Sequence, residues 1–554
     1  MANKVYGIDL GTTYSAISFI NENNKAETIR NSDNEQITPS VVFFETPENI
    51  VVGRIAKESA KSDPDNVVDF VKRQMGTDWT FAYEGRDYKP EEISSFILKR
   101  LAGDAQKTDG HDVKDVVITC PAYFGDAERN ATRQAGEIAG LNVVAILDEP
   151  AAAALHYAFR DGMTSEGKNR AAIVYDLGGG TFDVTVVSIE ENNVRIVCTD
   201  GDHRLGGKDW DDRIVKDLMS DLENELGESS ENCNWDDPET SYELRLSAEN
   251  AKKTLTNRET AKVRVVCDAG RVNVDYTRER FEQSTSDLLE RTVEFTRNVL
   301  NMAKEKGIDR IDDFLLVGGS TRMPMVAERI RREFEAELGC DPQSFDVDEA
   351  VAKGAAWFGY CQTIKVLLDD KAKEAGKESF DDLSDAEKKD VAADVAAEQG
   401  VSDDYLLEAG NTSITTVATK SYGIRVLDRD GVTPIVHNMI LRQTPTPVVE
   451  TKTFPTRDAG AELIQLRVFS GNDSSVDVPI EQCEELGVAE LNLPPGLPAR
   501  TPVEVVFDLS PEGALKISGS AAGSEVHAEF KAETGMSADE VQEAKERSKD
   551  LVVE

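Results

Sequence analysis

The sequence predicts an α/β fold with two similar halves, followed by an antiparallel β-sandwich. Across residues 1–365, short β-branched runs alternate with helical patterns, as α/β architecture requires. A strand that ends in Asp-Leu-Gly occurs twice in this region. From about residue 411 to residue 533, short alternating strands are separated by Gly, Pro and Asp turns, a pattern typical of β-sandwiches. With 554 residues the chain is too long for one hydrophobic core, so two or three domains are expected.

The individual elements of the α/β region follow from hydrophobic periodicity. The predicted strands are VYGIDLG, SAISFI, SVVFFE, VKDVVITC, NVVAIL, RAAIVYDLG, FDVTVVSI and DDFLLVGG. The predicted amphipathic helices are EEISSFILKRLAGDAQ, DAERNATRQAGEIAG, WDDRIVKDLMSDLENEL and ERFEQSTSDLLERTVEFTRNVLNMAKEKG.

One motif is repeated within this region. GIDLGTT at residues 7–13 is echoed by VYDLGGGT at residues 174–181. Each is an apolar strand that ends in Asp-Leu-Gly and continues through small residues into another apolar strand. Two such units predict a duplicated domain whose halves face each other across a cleft.

The charge balance limits the classes of partner. The chain has 104 acidic and 62 basic residues, a formal net charge of -42. This field repels phosphate backbones and anionic lipid, so neither nucleic acid nor a membrane is an expected partner. The N-terminal sequence MANKVYGIDLGTTYS resembles no signal peptide, and no apolar run approaches the roughly 20 residues that span a bilayer. We therefore expect a cytoplasmic protein.

The cysteines and histidines predict neither disulfides nor a transition-metal site. The seven cysteines are scattered and form no CxxC pair, which favours reduced thiols that pack as small apolar side chains. The five histidines show no HExxH or HxH spacing.

The remaining chain divides by composition. Residues 367–410 are strongly charged and rich in Ala, which fits a solvated helix, a helical linker or a disordered insert. The predicted organisation is an α/β domain over 1–366, this acidic insert over 367–410, a sandwich over 411–534 and a short C-terminal helix over 535–554. That last helix begins with a Ser-x-x-Glu cap at SADE.

The two Asp-Leu-Gly turns predict a phosphate site. Small residues let backbone N–H groups approach phosphate oxygens, while Asp9 projects towards a phosphate-bound Mg²⁺. A single copy of this turn also occurs in plain hairpins, but two facing copies favour a phosphate cradle. A third glycine turn, LLVGGSTR at residues 315–322, follows another apolar strand and ends in Arg322, whose guanidinium can stack on a base.

At this point the sequence resembles the seventy-kilodalton heat-shock (DnaK-like) chaperones. The matching stretches occur in family order and cover residues 4–360. They are GIDLGTTYS, VKRQMG, ITCPAYFGDAERNATRQAGEIAGL, LDEPAAAALHYA, YDLGGGTFDVTVV, GDHRLGGKDWDDR, LLVGGSTRMP and DEAVAKGAA. The resemblance implies an actin-like ATPase of two lobes with a duplicated ribonuclease-H-like core, which binds ATP or ADP with Mg²⁺ and K⁺.

The resemblance also implies roles for individual residues. Lys72 faces the γ-phosphate, Glu149 and Asp176 orient or deprotonate the attacking water, and Thr181 completes the catalytic set. Without the resemblance, Lys72 is typical of a surface lysine, and Glu149 of an acidic residue at a helix start. Asp9 and Asp176 act on Mg²⁺ through water, and Asp183 helps to hold K⁺. The implied phosphate-site residues are Gly11, Thr12, Thr13, Tyr14, Gly178, Gly179, Gly180 and Thr181.

The implied adenosine pocket departs mildly from the family pattern. Lys253 stands where many relatives have Arg, which weakens base stacking, and Lys208 replaces a usual glutamate. The implied pocket residues are Gly206, Gly207, Glu249, Lys252, Lys253, Thr256, Gly318, Gly319, Ser320, Arg322 and Asp348.

The resemblance is looser in the sandwich. It implies a cleft for extended polypeptide, although the same apolar side chains also suit the core of a sandwich. The residues in question are Ile424, Val426, Leu427, Phe454, Leu463, Leu466 and Leu493.

Three further departures bear on communication between the two regions. The short Asp-Leu-rich linker of the family is replaced by the acidic insert and ITTVATKS, and the helical lid is almost wholly missing. Ala145 stands where relatives have the Arg that helps to bind J-domain partners, so such a partner is doubtful, while a nucleotide-exchange factor fits. Pro121, Arg129 and Glu149 match residues that relay the nucleotide state, although Pro121 also suits a strand end.

These observations leave three functional hypotheses. The first is an ATP-hydrolysing chaperone that binds unfolded polypeptide. The second is a regulatory or scaffold relative that binds ATP structurally and partners another chaperone. The third, a small-molecule kinase, fits the sandwich least well. Because the insert is highly charged and offers little apolar surface for docking, we expect peptide exchange to be fast and little affected by nucleotide. The alternative is that the insert is itself a helix that docks by charge and forms a new connection between the two regions.

Overall fold

The structure is a computed structural model of the chain. It describes residues 4–159, 169–190, 193–335, 338, 340–399, 402–428, 430–510, 514–530 and 536–554. Every strand and helix predicted in the α/β region is present. The long predicted helix over 279–307 is divided at Thr285, whose hydroxyl donates to the Phe281 carbonyl at 2.7 Å.

The helices and strands are numbered in chain order. The first part of the chain forms β1 Val5–Asp9, β2 Tyr14–Ile20, β3 Ala26–Thr28, β4 Thr38–Pro39, β5 Val42–Thr46, β6 Asn49–Val52, α1 Arg54–Ser59, β7 Val67–Val68, β8 Phe81–Tyr83, β9 Arg86–Tyr88, α2 Pro90–Asp109, β10 Asp115–Cys120, α3 Asp126–Ile138, β11 Asn142–Asp148 and α4 Glu149–Phe159.

The second part forms β12 Arg170–Leu177, β13 Phe182–Glu190, β14 Asn193–Asp202, α5 Gly207–Leu226, α6 Pro238–Asn257, β15 Thr260–Cys267, β16 Gly270–Thr277, α7 Arg278–Ser284, α8 Ser286–Glu305, β17 Asp313–Val317, α9 Pro324–Phe334, β18 Pro342–Ser344 and α10 Ala350–Glu374. The third part forms α11 Asp385–Gln399, α12 Asp403–Asn411, β19 Ser413–Thr415, β20 Ser421–Leu427, β21 Pro434–Ile440, β22 Val448–Pro455, β23 Leu463–Gly471, β24 Asp477–Pro479, β25 Glu484–Asn492, β26 Pro502–Leu509, β27 Leu515–Ala521, β28 Ser524–Phe530, α13 Ala538–Lys549 and β29 Val552–Val553.

The predicted duplication is visible in the two main sheets. Lobe I, residues 4–159, has the strand order β11-β10-β1-β2-β3, and lobe II, residues 170–349, has the order β18-β17-β12-β13-β14. In each lobe the strand that ends in Asp-Leu-Gly is antiparallel to the next strand and parallel to the strand on its other side. The halves therefore share one topology.

Two helices cross between the lobes and hold them together. α4, which follows the lobe I sheet, packs on the strands of lobe II, whereas α10, which follows the lobe II sheet, packs on the strands of lobe I. Glycines allow this contact to be very close. A Cβ at Gly7 would lie 2.1 Å from the backbone nitrogen of Ala356, and one at Gly354 would lie 1.7 Å from the Ala152 carbonyl oxygen. A larger residue at Gly7 would push α10 away from β1, and one at Gly354 would push α10 away from α4.

The acidic insert is helical and packs on the α/β domain. α10 continues without a break to Glu374 and is followed by α11 and α12. The expectation that this segment has too little apolar surface to dock is wrong, because its apolar side chains join the core beneath α4 and α10. These buried side chains are Leu368, Ala372, Phe380, Leu383, Val391, Ala392, Val395, Ala396, Leu406 and Ala409.

The insert leads directly into a strand of lobe II. β19 pairs in parallel with β14, with Val194 opposite Ile414, and so adds a strand to the edge of the lobe II sheet. The residues between the insert and the sandwich thus form part of the lobe II sheet, rather than a loose connection.

The C-terminal region is an antiparallel β-sandwich, as predicted. One sheet has the order β24-β21-β20-β23-β25 and the other the order β22-β26-β27-β28, and their inner faces enclose one apolar core. The sandwich also contacts both lobes. Gln443 exchanges two hydrogen bonds with the backbone of Thr199 in lobe II, at 3.2 and 2.9 Å, and Tyr422 lies with its hydroxyl 3.5 Å from Asp126 in lobe I.

The C-terminal segment, residues 536–554, lies on lobe I. The predicted cap is present, since the Ser537 hydroxyl accepts from the backbone of Glu540. Met536, Val541 and Ala544 pack on Ile138, and β29 pairs in parallel with β6 at the edge of a small sheet. Among the described residues, no helix is both long and apolar enough to cross a lipid bilayer.

One prediction about the cysteines is wrong. Cys233 and Cys267 are joined by a disulfide with their Cα atoms 5.4 Å apart, while the other five cysteines are free. The two residues are 34 positions apart in sequence, so spacing alone does not reveal the pair. The fold brings them together where the loop after α5 meets the hairpin of β15 and β16.

The contact between the sandwich and lobe I predicts a pH dependence of docking. Burial raises the pKa of Asp126 to about 6, against the partly compensating charges of Arg129 and Lys420. Because this pKa is higher in the docked state than in water, docking is favoured below the ordinary pKa of aspartate and weakens as pH rises through about 6. Asp126→Asn should remove this dependence and leave docking stronger at pH 7, as measured by energy transfer between labels on lobe I and the sandwich. Replacement of the exposed Asp458 by Asn is the matched control, and an unchanged pH profile in Asp126→Asn would contradict this assignment.

Candidate nucleotide site in the cleft between the lobes

A cavity of about 790 Å³ lies in the cleft between the two lobes. It is lined by glycine turns, by charged side chains at its base and by α6 on one side. Most of the residues predicted for a nucleotide site meet here. They are Asp9, Gly11, Thr12, Thr13, Tyr14, Lys72, Glu149, Asp176, Gly178, Gly179, Thr181, Gly207, Glu249, Lys252, Lys253, Thr256, Gly318, Gly319, Ser320, Arg322 and Asp348.

The two Asp-Leu-Gly turns face each other at contact distance. A Cβ at Gly179 would lie 2.0 Å from the hydroxyl of Thr13, and one at Gly180 would lie 2.5 Å from the methyl of Thr12. The turns therefore need glycine on the lobe II side. Their apposed backbones suit phosphate groups, because backbone N–H groups are the donors of such cradles.

Three predicted residues lie outside the lining. Gly180 lies behind Thr12, and Gly206 packs on Gly180, where a Cβ would lie 2.5 Å from its backbone. Asp183 is buried below the turn, only 2% exposed. These three residues support the turns and the charged base of the cleft from behind.

The third glycine turn is attached to the second. Gly318 has φ of +83°, a left-handed conformation that favours glycine, and the Ser320 hydroxyl donates to the Gly178 carbonyl at 2.9 Å. Arg322, at the end of this turn, forms an ion pair with Asp348 at the mouth of the cleft. The pair holds the guanidinium of Arg322 beside the lining of the cavity.

A cluster of buried charges forms the base of the cleft. Lys72 lies in a short 3₁₀ helix and its Nζ is 2.5 Å from Oε1 of Glu149, the first residue of α4. Burial alone would lower the pKa of Lys72, but Glu149 and Asp9 raise it. The lysine is therefore held as a cation in a place from which water is largely excluded.

The aspartates of this cluster have too few positively charged neighbours to balance their own negative charge. Burial raises the pKa of Asp9, Asp176 and Asp183, and the neighbouring carboxylate of Glu149 raises all three further. One buried oxygen of Asp183, Oδ1, makes no hydrogen bond. Such a set of carboxylates fits a hydrated cation, since a divalent ion next to a phosphate relieves their repulsion. Among the described residues, no group of three His, Cys, Asp or Glu side chains is arranged to ligate a metal directly, which is compatible with coordination through water.

A second buried ion pair lies behind the first. Arg129 of α3 pairs with Asp148, the residue before Glu149, and its Nε donates to the Phe124 carbonyl at 3.0 Å. Asp148 and Glu149 are adjacent, so the position of Glu149 depends on α3, whose first residue, Asp126, touches the sandwich.

The α6 side of the cleft is tied to lobe I by charge. Glu249 is 2.6 Å from Lys57 of α1 and 2.7 Å from Lys253, whose Nζ also donates to the Tyr14 hydroxyl at 3.0 Å. Although burial opposes it, these two lysines lower the pKa of Glu249 to about 2. Lys208 also lines the cleft, where it is paired with Asp212 at 2.6 Å, so its extra positive charge is compensated locally.

Several lining residues were missed by sequence reasoning. Lys57 closes the cleft from lobe I, as does Asp69, which is 3.7 Å from Arg245 of α6. Gln36 donates to Glu349 at 3.0 Å across the opposite rim. These residues lie in loops and in a six-residue helix without glycine turns or strand signals, so the sequence has no local pattern that marks them.

The apolar residues predicted for a polypeptide cleft fall into two groups. Ile424, Leu466 and Leu493 are buried in the sandwich core, and Val426 and Phe454 pack against it. Leu427 and Leu463 are exposed, at 37% and 47%. The buried residues therefore stabilise the sandwich, and the exposed pair is free to meet a partner.

Comparison with known proteins agrees with this geometry. The sequence profile of the family described as "Hsp70 protein" matches residues 5–82 and 80–370. "Chaperone protein DnaK" of Thermosipho africanus is 34% identical over 535 residues, which cover 94% of this chain and 79% of that protein. The proteins of the same name from Thermotoga maritima and Halobacterium salinarum are 34% and 35% identical, each over 94% of this chain and over 78% and 74% of their own lengths. The chain belongs to the Hsp70 family.

Proposed function

We propose that this protein is an ATP-dependent chaperone that hydrolyses ATP in the cleft and binds extended polypeptide on the sandwich. The three relatives described above, each aligned over 94% of this chain, are named as chaperones. Membership of the family implies an actin-like ATPase with a duplicated ribonuclease-H-like core. The observation that supports hydrolysis best is the buried Lys72–Glu149 pair between two phosphate turns. A protein that only held ATP would not need a buried cation and a buried base at one place.

The residues of the cleft suit phosphoryl transfer to water. Bound Mg²⁺ would neutralise charge on the phosphates, with Asp9 and Asp176 holding its water ligands. Lys72 would stabilise negative charge that develops on the γ-phosphoryl group. Glu149 and Asp176 would orient the attacking water, and Thr181 would position the phosphate from the second turn. A K⁺ ion near Asp183 stays a prediction from the resemblance.

The aspartates should be needed for affinity in the presence of Mg²⁺. Asp9→Ala or Asp176→Ala should weaken the binding of MgATP by about tenfold or more, ~1.4 kcal/mol, because the hydrated ion loses a carboxylate partner. Isothermal titration calorimetry with ATP, with and without Mg²⁺, measures this. Without Mg²⁺, the difference in ATP affinity between each variant and wild type should be smaller. A wild-type affinity for MgATP in both variants would contradict the assignment.

Lys72 should matter for the rate rather than for affinity. Lys72→Ala should retain ATP binding and lose hydrolysis by about two orders of magnitude or more, because its charge stabilises the transition state more than the ground state. Single-turnover hydrolysis and ATP titration separate the two effects. Lys61→Ala, an exposed lysine of the same lobe, is the control. Hydrolysis by Lys72→Ala at the wild-type rate would exclude this mechanism.

The structure changes the expectation about coupling. The expectation of uncoupled sites assumed that nothing docks between the two regions. Instead, the insert is buried against α10, β19 extends the lobe II sheet, and the sandwich contacts Asp126 and Thr199. Arg129 links α3 to the residue before Glu149. We therefore propose that nucleotide in the cleft and polypeptide on the sandwich affect each other through these contacts.

The coupling should depend on the packing of the insert against the α/β domain. ATP should change the dissociation rate of a fluorescent unfolded peptide by about tenfold or more, ~1.4 kcal/mol of coupling. Phe380→Ala, which removes a buried anchor of the insert, should bring the rates with ATP and ADP together without abolishing ATP binding. Val366→Ala, at an exposed position on α10, is the control. If Phe380→Ala keeps the wild-type difference between the dissociation rates with ATP and with ADP, the insert does not connect the two sites. Identical rates with ATP and ADP in wild type would contradict coupling altogether.

A further inference from the structure

The disulfide lies in the part of lobe II that holds the nucleotide-facing helix. Cys233 precedes α6 and Cys267 ends β15, so the bridge encloses all of α6 and β15 in one covalent loop. At the opposite end of α6, two residues connect it directly to β15. Helix and strand are thus joined at both ends when the bridge is formed, and at one end when it is reduced.

The seam between these elements is incompletely filled. Leu244, Ala248, Ala251 and Leu255 of α6 belong to the same apolar core as β15. Yet a groove of about 550 Å³, lined by polar and apolar residues of α6 and β15, runs along the outer side of the seam. α6 also packs on α5, and the bridge adds a covalent constraint at the end of α6 remote from its chain connection to β15.

α6 provides much of the cleft wall. Within lobe II, Lys252 donates to the Gly207 carbonyl at 2.8 Å beside the phosphate turns. Across the cleft, Glu249 forms an ion pair with Lys57, and Lys253 donates a hydrogen bond to the Tyr14 hydroxyl. When α6 is rigidly attached, these contacts must break together for the cleft to open. When one end of α6 is released, they can break one at a time, which lowers the cost of opening.

We propose that Cys233 and Cys267 are a reversible oxidation site that controls how long nucleotide stays in the cleft. Oxidation by a small-molecule disulfide joins the two thiols in one S–S bond, and the reagent accepts two electrons and two protons to become two thiols. Reduction by a dithiol reverses the exchange. Cys233 is partly exposed, so its sulfur is the one that a thiolate reaches, and Cys267 is released as the leaving thiol.

The other cysteines do not compete for this role. Burial raises the pKa of Cys120, Cys198 and Cys361 to about 12, and their thiols are shielded from reagents. Cys340 and Cys483 are partly exposed but are not joined to another cysteine. Cys340 therefore supplies a control for oxidation that does not cross-link α6.

The first measurement tests the site without nucleotide. The full chain is treated with oxidised glutathione or with dithiothreitol, denatured and alkylated, and the labelled cysteines are counted by mass spectrometry. Five labelled cysteines are expected after oxidation and seven after reduction. Hydrogen exchange of the α6 amides should be slower in the oxidised protein. Seven labels after oxidation, or equal exchange of α6 in the two states, would overturn the inference.

The second measurement tests its consequence and rests on the proposed nucleotide binding. Dissociation of a fluorescent ADP should be about fivefold or more faster after reduction of wild type. Cys233→Ser and Cys267→Ser should show the fast rate under both conditions, and Cys340→Ser should respond as wild type does. Equal dissociation rates in oxidised and reduced wild type would overturn control by the bridge. A bridge that protects α6 in a protein that binds no nucleotide in either state would contradict the proposed function instead.

Discussion

The close crossing of α4 and α10 is the contact on which the rest of the structure depends. Each helix leaves one lobe and packs on the sheet of the other, and Gly7 and Gly354 allow backbones to meet where a methyl group would not fit. This crossing sets the distance between the lobes. It thereby brings two Asp-Leu-Gly turns, each at the end of a strand in its own sheet, into contact across the cleft. Glu149 begins α4, so the same helix that joins the lobes also positions a carboxylate beside Lys72.

The local charge in the cleft differs from the net charge of the whole protein. A protein with a net charge of -42 repels other anions, yet its cleft must accept a polyphosphate. Buried Lys72, the partly exposed lysines that line the cleft and backbone N–H groups on the glycine turns provide the local attraction. The aspartates beneath remain in excess, and their pKa values are raised because they are buried near one another. That imbalance makes the site suited to a nucleotide that brings a cation with it, rather than to an anion alone.

How much of this could be predicted from sequence depends on how local the signal is. The strands β1 and β12 with their glycine turns were predicted because alternation, Asp-Leu-Gly and small residues are contiguous. The pairing of Cys233 with Cys267, the contact of Lys57 with Glu249 and the seating of Phe380 were not, since each joins residues that are distant in sequence. The insert was misjudged for a related reason. Its average composition is charged, but burial is decided by a few apolar side chains on one face of each helix.

The contacts of α3 join the sandwich, the C-terminal segment and the base of the cleft. Asp126 at the start of α3 meets Tyr422 of the sandwich, and Arg129 one turn later pairs with Asp148, next to Glu149. Gln134 further along α3 exchanges hydrogen bonds with the backbone of Met536 in the C-terminal segment. A single helix of lobe I thus touches the sandwich, the C-terminal segment and Asp148, the residue before Glu149. The buried Arg129–Asp148 pair therefore lies between the contact of Asp126 with the sandwich and Glu149 at the base of the cleft, so α3 connects these two places through direct contacts.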